Sequence, residues 1–157
     1  MHVPGTWDPE NLYLPLPFTW PGAEELWVFK AGAAVRPWRD QLPGTCTDWT
    51  CVQEGFAWCG QGGGLAVAMP DSPLLWLGPL ASGRRRLMGD ADLPPRPDHL
   101  HAWLATNFWE TNFRADLGGF LEFRFLVSWG ADLADPDVAR ARCLGLSHGL
   151  TAFRLGA

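Results

Sequence analysis

The stretch from His101 to Trp129, HAWLATNFWETNFRADLGGFLEFRFLVSW, decides the reading of the fold, because two strand-like runs flank a loop crowded with amides, aromatics and charges. In the second run Leu121, Phe123, Phe125, Val127 and Trp129 alternate with Glu122, Arg124, Leu126 and Ser128. A period of two puts the first set on one face of a strand, and that face is expected to be buried. The opposite face is half polar, with Glu122 and Arg124 two residues apart, which predicts an antiparallel strand with one wet surface. The first run, His101 to Phe108, is shorter and less regular. Between them lies Trp109-Glu110-Thr111-Asn112-Phe113-Arg114-Ala115-Asp116, closed by Gly118-Gly119, whose access to positive φ permits a sharp return.

Outward from this stretch the same period recurs. Asn11 to Trp20 alternates Leu12, Leu14, Leu16 and Phe18 or Trp20 against Tyr13, Pro15 and Pro17, and the prolines place it at a sheet edge or make it an extended connection. Leu26 to Lys30 is a second strand, and Pro37 to Gly44 a loop ending in a tight turn. Thr50 to Cys59 reads as one strand with a bulge near Gly55. The run Gly62-Gly63-Gly64 lacks the Gly-Lys-Ser/Thr ending of a phosphate loop and opens onto Leu65 to Met69, so it is read as a hairpin turn before a strand. Ser72 to Leu80 gives a further strand, and Ala81 to Pro97 the longest loop. Beyond Trp129, Asp135-Pro136 starts a helix in which Val138, Ala141 and Leu144 recur until Gly145. Leu150 to Leu155 is read as a final strand.

Length and composition bound the function. A chain of 157 residues is read as one domain. Fourteen prolines and eighteen glycines, about a fifth of the chain, stay below the roughly 25–30% at which low complexity is the better reading. Ten tryptophans and nine phenylalanines point the same way, because disordered chains are poor in aromatics. A net charge of −5 offers no general attraction for nucleic acid or an anionic membrane, and Arg84-Arg85-Arg86 is too short to reverse it. The start carries neither a basic region nor an apolar run, and no segment has the apolar length of a membrane helix, so a soluble, cytoplasmic protein is expected. Cys46, Cys51, Cys59 and Cys143 lack the close pairing of zinc or redox motifs and are read as reduced, mostly buried thiols. His99 and His101 share a strand face without a third ligand, and His2 and His148 are isolated. No metal and no cofactor are expected.

A resemblance sharpens this reading. Asn107-Phe108-Trp109-Glu110-Thr111-Asn112-Phe113, then Gly118-Gly119, then Phe123-Arg124-Phe125, resembles a motif in the C-terminal β region of family-38 glycoside hydrolases, the class II α-mannosidases and their bacterial relatives. Pro17-Phe18, Asp40-Gln41-Leu42-Pro43-Gly44, Asp48-Trp49, and Asp71-x-Pro73-Leu74 with Gly78 occur in the order in which that region shows similar segments. The likeness spans about Leu12 to Trp129 and only the middle of the family's longer C-terminal region. The periodicity itself predicts an all-β antiparallel sandwich of about seven to nine strands with one short late helix. The resemblance implies part of a supersandwich of the galactose-mutarotase-like kind.

The family's catalytic barrel, with its zinc and carboxylate nucleophile, has no counterpart here, so the resemblance implies a non-catalytic carbohydrate-associated domain or a partner to a separate catalytic chain. Asn107, Trp109, Glu110, Asn112, Arg114 and Asp116 are the candidate carbohydrate-binding residues. Planar amides and a guanidinium present paired donors to vicinal hydroxyls, and an indole offers a flat apolar face with a polar N–H. Two alternatives stay open. One is a small stand-alone glycoside hydrolase using Glu110, Asp116 or Glu122, whose chemistry needs two carboxyls roughly 5–9.5 Å apart; the other is a structural or vestigial module without ligand. Strands absent from the chain relative to the family leave an edge or face near Phe123 and Phe125 open, which predicts a homodimer.

Overall fold

A computed structural model describes residues 1–80, 85–89, 99–108 and 116–149. It is an antiparallel β-sandwich with a late helix, as the periodicity predicts. One sheet has five strands in the order β11-β7-β6-β3-β4: β3 (Ala23–Lys30), β4 (Ala33–Val35), β6 (Gly55–Gly60), β7 (Gly63–Ala68) and β11 (Leu126–Gly130). The other has four in the order β2-β9-β8-β5: β2 (Asn11–Pro15), β5 (Trp49–Cys51), β8 (Leu74–Leu77) and β9 (Leu100–Thr106). A two-stranded ribbon pairs β1 (His2–Val3) with β10 (Gly119–Phe120). The expected edge position of the proline-bearing strand holds, since β2 carries Pro15 at the margin of its sheet, with a register shift between Leu12 and Tyr13.

The core lies between the sheets. Leu26, Val28, Phe56, Trp58, Leu65 and Val67 of one pack against Leu16, Leu75, Leu77, Leu100 and Ala102 of the other. Every side chain of β7, and all but the last of β6, is buried. The reason is a second layer on the outside. A 3-10 turn (Ala131–Ala134) and helix α1 (Pro136–His148) lay Leu133, Ala139 and Cys143 over Phe29, Ala57, Cys59, Ala66 and Ala68. Strands covered on both faces lose the polar half of their alternation.

The helix begins where predicted, with the Asp135 carboxylate accepting the Asp137 N–H at 2.8 Å and Pro136 in the first turn. It continues past Gly145 and ends at Gly149, which has a φ of 63°. Its buried face is also rotated from the one the sequence suggested. Val138 and Leu144 are exposed, and Ala139 and Cys143 point inward, because only short side chains fit over three sheet alanines.

Two strand predictions are corrected. Thr50 to Cys59 is not one bulged strand; β5 and β6 belong to different sheets, and the chain crosses the sandwich between them. At the crossing the Val52 N–H donates to the Pro73 carbonyl beside β8, and the next N–H, of Gln53, donates to the Phe29 carbonyl of β3. The second strand of the opening stretch is shorter than its alternation, starting at Leu126 rather than Leu121. Phe125 and Val127 do pack on the core, but Trp129, whose register partner is the core residue Leu65, is 63% exposed at the sheet margin. The opposite face of β11 is not wet: Leu126 packs under the helix layer and the Ser128 hydroxyl accepts from Arg142 at 2.7 Å. The predicted hairpin at the glycine run is present, with Gly60 opposite Gly63. The expected final strand at 150–155 lies outside the described residues.

Gly55 makes the crossing possible. Its φ is 138°, and a Cβ there would stand 2.0 Å from the Val67 carbonyl oxygen. Gly55→Ala is therefore expected to cost about 2–4 kcal/mol from the strained backbone and the displaced strand together. A urea midpoint unchanged from wild type would show that the crossing tolerates a side chain.

Candidate functional site

The predicted site residues do not form a free constellation where they are described. Asn107, at the end of β9, is 8% exposed. Its Oδ1 accepts the Glu10 N–H at 2.5 Å, and its Nδ2 donates to the carbonyls of Thr6 at 3.2 Å and Asp8 at 2.9 Å. Asp116 is exposed, and its Oδ1 accepts the N–H groups of Gly118 at 2.6 Å and Thr6 at 3.3 Å. Both side chains fasten the N-terminal segment across the chain, and the ribbon of β1 and β10 continues the same seam. Trp109, Glu110, Asn112 and Arg114 lie outside the described residues. Glu122 is exposed on the segment before β11.

That segment is extended but not in a ladder, for an electrostatic reason. The Arg124 backbone N–H donates to Asp71 Oδ2 at 2.8 Å, and its guanidinium Nε and NH2 reach Oδ2 and Oδ1 at 2.9 Å each. The arrangement recurs. Asp40 takes the N–H and guanidinium of Arg36, and Asp48, 4% exposed, takes the N–H and Nε of Arg86. Each aspartate thus holds one arginine by main chain and side chain together, a charge-assisted grip available to a guanidinium fork.

A different face carries the densest aromatic array among the described residues, and the sequence reading did not find it. In the four-stranded sheet Tyr13 pairs with Trp103, His101 with Trp76, and Trp76 with Trp49. Antiparallel partners share a face, and Trp103 and His101 are two apart on β9, so all five rings stand on the outer surface across all four strands. Their centroids lie 5.5 Å (Tyr13 to Trp103), 5.9 Å (Tyr13 to Trp76), 6.0 Å (Trp49 to Trp103) and 6.2 Å (Trp76 to Trp103) apart. Most meet edge to face, which the ring quadrupoles favour. No described helix or sheet packs over this face as α1 packs over the other. Trp76 is buried, its Nε1 donating to the Pro79 carbonyl at 3.1 Å; Tyr13, Trp49, His101 and Trp103 are half-buried.

Two buried polar atoms in the array have no hydrogen-bond partner among the described residues: Trp103 Nε1 and His101 Nδ1. Buried donors without partners are uncommon, and a ligand hydroxyl or water is the usual remedy. Burial lowers the His101 pKa, with a smaller opposing effect from its backbone hydrogen bond to His99, so the imidazole is neutral near neutral pH. Burial raises the Tyr13 pKa against the pull of the nearby Arg85 charge. A cleft of about 480 Å³ opens beside Trp49 at the β5 margin, lined by Lys30, Gln41, Thr50 and Cys51. The signal available in sequence was His101 and Trp103 at a spacing of two.

The four cysteines are free; Cys59 and Cys143 are buried, which pushes their thiols up to about 11 and about 12, whereas Cys51 is exposed and Cys46 half-buried. Burial was expected for most of them, and Cys51 departs from it because it sits on the outer face of edge strand β5. Among the described residues no three His, Cys, Asp or Glu side chains gather as metal ligands would, and no helix is long and apolar enough to cross a membrane. No family model, curated protein or solved structure matches the chain.

The Asp71 tether makes a pH prediction. Hydrogen bonding from Arg124 lowers the Asp71 pKa from 3.8 to about 2. A carboxylate whose folded pKa is depressed stabilises above its unfolded value and loses that contribution as pH falls through the folded one. The tether is thus expected to hold at pH 3 and release near pH 2. Slow amide exchange at Arg124 that disappears already near pH 4, or persists in Asp71→Asn, would contradict it.

Proposed function

We propose that the chain is a non-catalytic carbohydrate-binding β-domain, related to the C-terminal regions of family-38 α-mannosidases, acting alone or beside a separate catalytic chain. The observation that carries this reading is the outer aromatic face of the four-stranded sheet, with the unpartnered indole N–H of Trp103 at its centre. A pyranose presents C–H groups on its faces and hydroxyls at its rim. The C–H face lies against the half-exposed ring surfaces of Tyr13, Trp49 and Trp103, and Trp103 Nε1 and the neutral His101, closed off in the free protein, meet rim hydroxyls as these rings turn outward to receive the sugar. The cleft beside Trp49 gives a chain of sugars a concave continuation. The resemblance supplies the carbohydrate context. The stand-alone hydrolase reading gains no support from Asp116, whose Oδ1 holds two backbone N–H groups.

The assembly proposed with it is a homodimer through β11. That strand is a sheet edge of five residues without proline, lysine or bulge, and it carries the exposed Trp129. Paired antiparallel with its own copy about Ser128, it sets Trp129 opposite the second copy's Val127. Light scattering at micromolar concentration is expected to give twice the chain mass, reduced to one by Trp129→Lys at the exposed margin of the strand; a wild-type monomer overturns the dimer and leaves the binding proposal standing.

Carbohydrate binding itself is tested by affinity electrophoresis in gels containing soluble polysaccharides. Wild type is expected to be retarded, and Trp103→Phe, which keeps the packing and removes the N–H, to bind about tenfold more weakly. Leu144→Ala, on the exposed face of α1, should migrate as wild type. Absence of retardation in every polysaccharide, neutral or acidic, would sink the reading.

A further inference from the structure

Arg85 and Arg86 are neighbours with opposite fates. Arg86 turns inward, its Nε and N–H on the buried Asp48 carboxylate and its NH2 3.4 Å from the Leu77 carbonyl. The backbone around it is fixed to residues 44–47, with Thr47 N–H donating to the Arg86 carbonyl at 2.9 Å, Met88 N–H to Thr45 at 2.8 Å and Gly44 N–H to Met88 at 2.8 Å. This anchor carries Arg85 to the aromatic face. Its guanidinium carbon lies 5.5 Å from the Trp76 ring centroid, and its charge is felt at the Tyr13 hydroxyl. Arg85 is exposed, and among the described residues no carboxylate lies within ion-pair distance of it.

The sign of this face is unusual for the molecule. The chain has 17 acidic against 12 basic residues, yet the positions that the strand register places on this surface, from Tyr13 and Pro15 through His101 and Trp103 to Leu74, Trp76, Trp49 and Cys51, include no acid. The cleft beside Trp49 repeats the pattern: the Lys30 ammonium stands in it, donating to Thr50 Oγ1 at 2.8 Å, and its one carboxylate, Asp40, is already held by Arg36. A guanidinium held over an indole by cation–π attraction keeps its N–H donors, which lie in its own plane, for a second partner.

We infer that the ligand of the aromatic face is an acidic sugar of the uronic-acid class, its ring on the Trp103 side of the array and its carboxylate accepting a bidentate pair of hydrogen bonds from Arg85. The inference rests on the carbohydrate-binding reading and adds the charge of the ligand. Carboxylate is chosen over a sulfate ester because two coplanar oxygens match the guanidinium fork.

The test compares polygalacturonate, its fully methyl-esterified form and dextran sulfate as ligands of the whole chain, by isothermal titration at two salt concentrations. Wild type is expected to bind the acid at least about tenfold more tightly than the ester, the worth of a charge-assisted pair. Arg85→Gln should bring the acid-to-ester ratio close to one, and Leu144→Ala, on the exposed face of α1, should leave it as in wild type. Equal affinity for acid and ester in wild type overturns the inference while leaving carbohydrate binding intact. Binding of no polysaccharide overturns both. An acid preference that survives Arg85→Gln, or dextran sulfate binding as tightly as polygalacturonate with a steep salt dependence, assigns the effect to general ion exchange and also overturns it.

Discussion

The hairpin of β6 and β7 is buried on both faces, and the rest of the architecture follows from that constraint. Toward the sandwich interior it presents Phe56, Trp58, Leu65 and Val67; toward the helix it presents Ala57, Cys59, Ala66 and Ala68. Large side chains on one side fill the space between sheets, and small ones on the other let a helix come close. The helix must answer in kind, which is why Ala139 and Cys143 face the sheet and the larger Val138 and Leu144 face water. Extra methylenes on that buried face would cost about 1–3 kcal/mol by overpacking. Among the described residues no helix covers the four-stranded sheet in the same way. Its outer surface shields itself by packing rings edge to face, which closes off the Trp103 indole N–H and leaves ring area of Tyr13, Trp49 and Trp103 exposed.

Away from the sheets, the connections are held by a repeated device. Asp40, Asp48 and Asp71 each accept both the backbone N–H and the guanidinium of one arginine, at positions 36, 86 and 124. A lysine ammonium is a single point of charge and cannot reproduce that fork. Three of the eleven arginines are used in this way, in a chain with a single lysine. The side-chain pairs are exposed at Asp40 and Arg124, so their value lies in fixing loop geometry more than in net stability.

The fold class, the positions of several strands, the edge proline, the glycine hairpin and the helix start were legible, because each depends on a local period or a local cap. The crossing at Val52–Gly55 was not, since strands of two different sheets run on in sequence like one strand with an irregularity; only the partners of consecutive N–H groups tell them apart. The non-ladder conformation of 121–125 was hidden for a related reason. Its alternation is genuine, but the Arg124 N–H goes to a carboxylate 53 residues away. Of the six proposed site residues, Asn107 and Asp116 turn out to brace the N-terminal segment, which a turn asparagine or aspartate does by a chemistry indistinguishable, in sequence, from ligand binding. The aromatic face escaped notice because it is assembled from four strands, one or two rings from each, and no single stretch displays it.

The residues that carry the family resemblance and the residues that form the aromatic face divide accordingly. Asp40, Gln41, Asp48, Asp71, Asn107 and Arg124 belong to the resembling segments, and every one of them is occupied with a backbone or an ion-pair partner. Tyr13, Trp76, His101 and Trp103 stand outside the quoted motifs; Trp49 alone belongs to both sets. A motif made of tethers constrains how the loops close and is silent on what the finished surface binds. The tethers therefore bear on how the loops close, and the rings and cations of the four-stranded sheet are what its outer surface can offer a ligand.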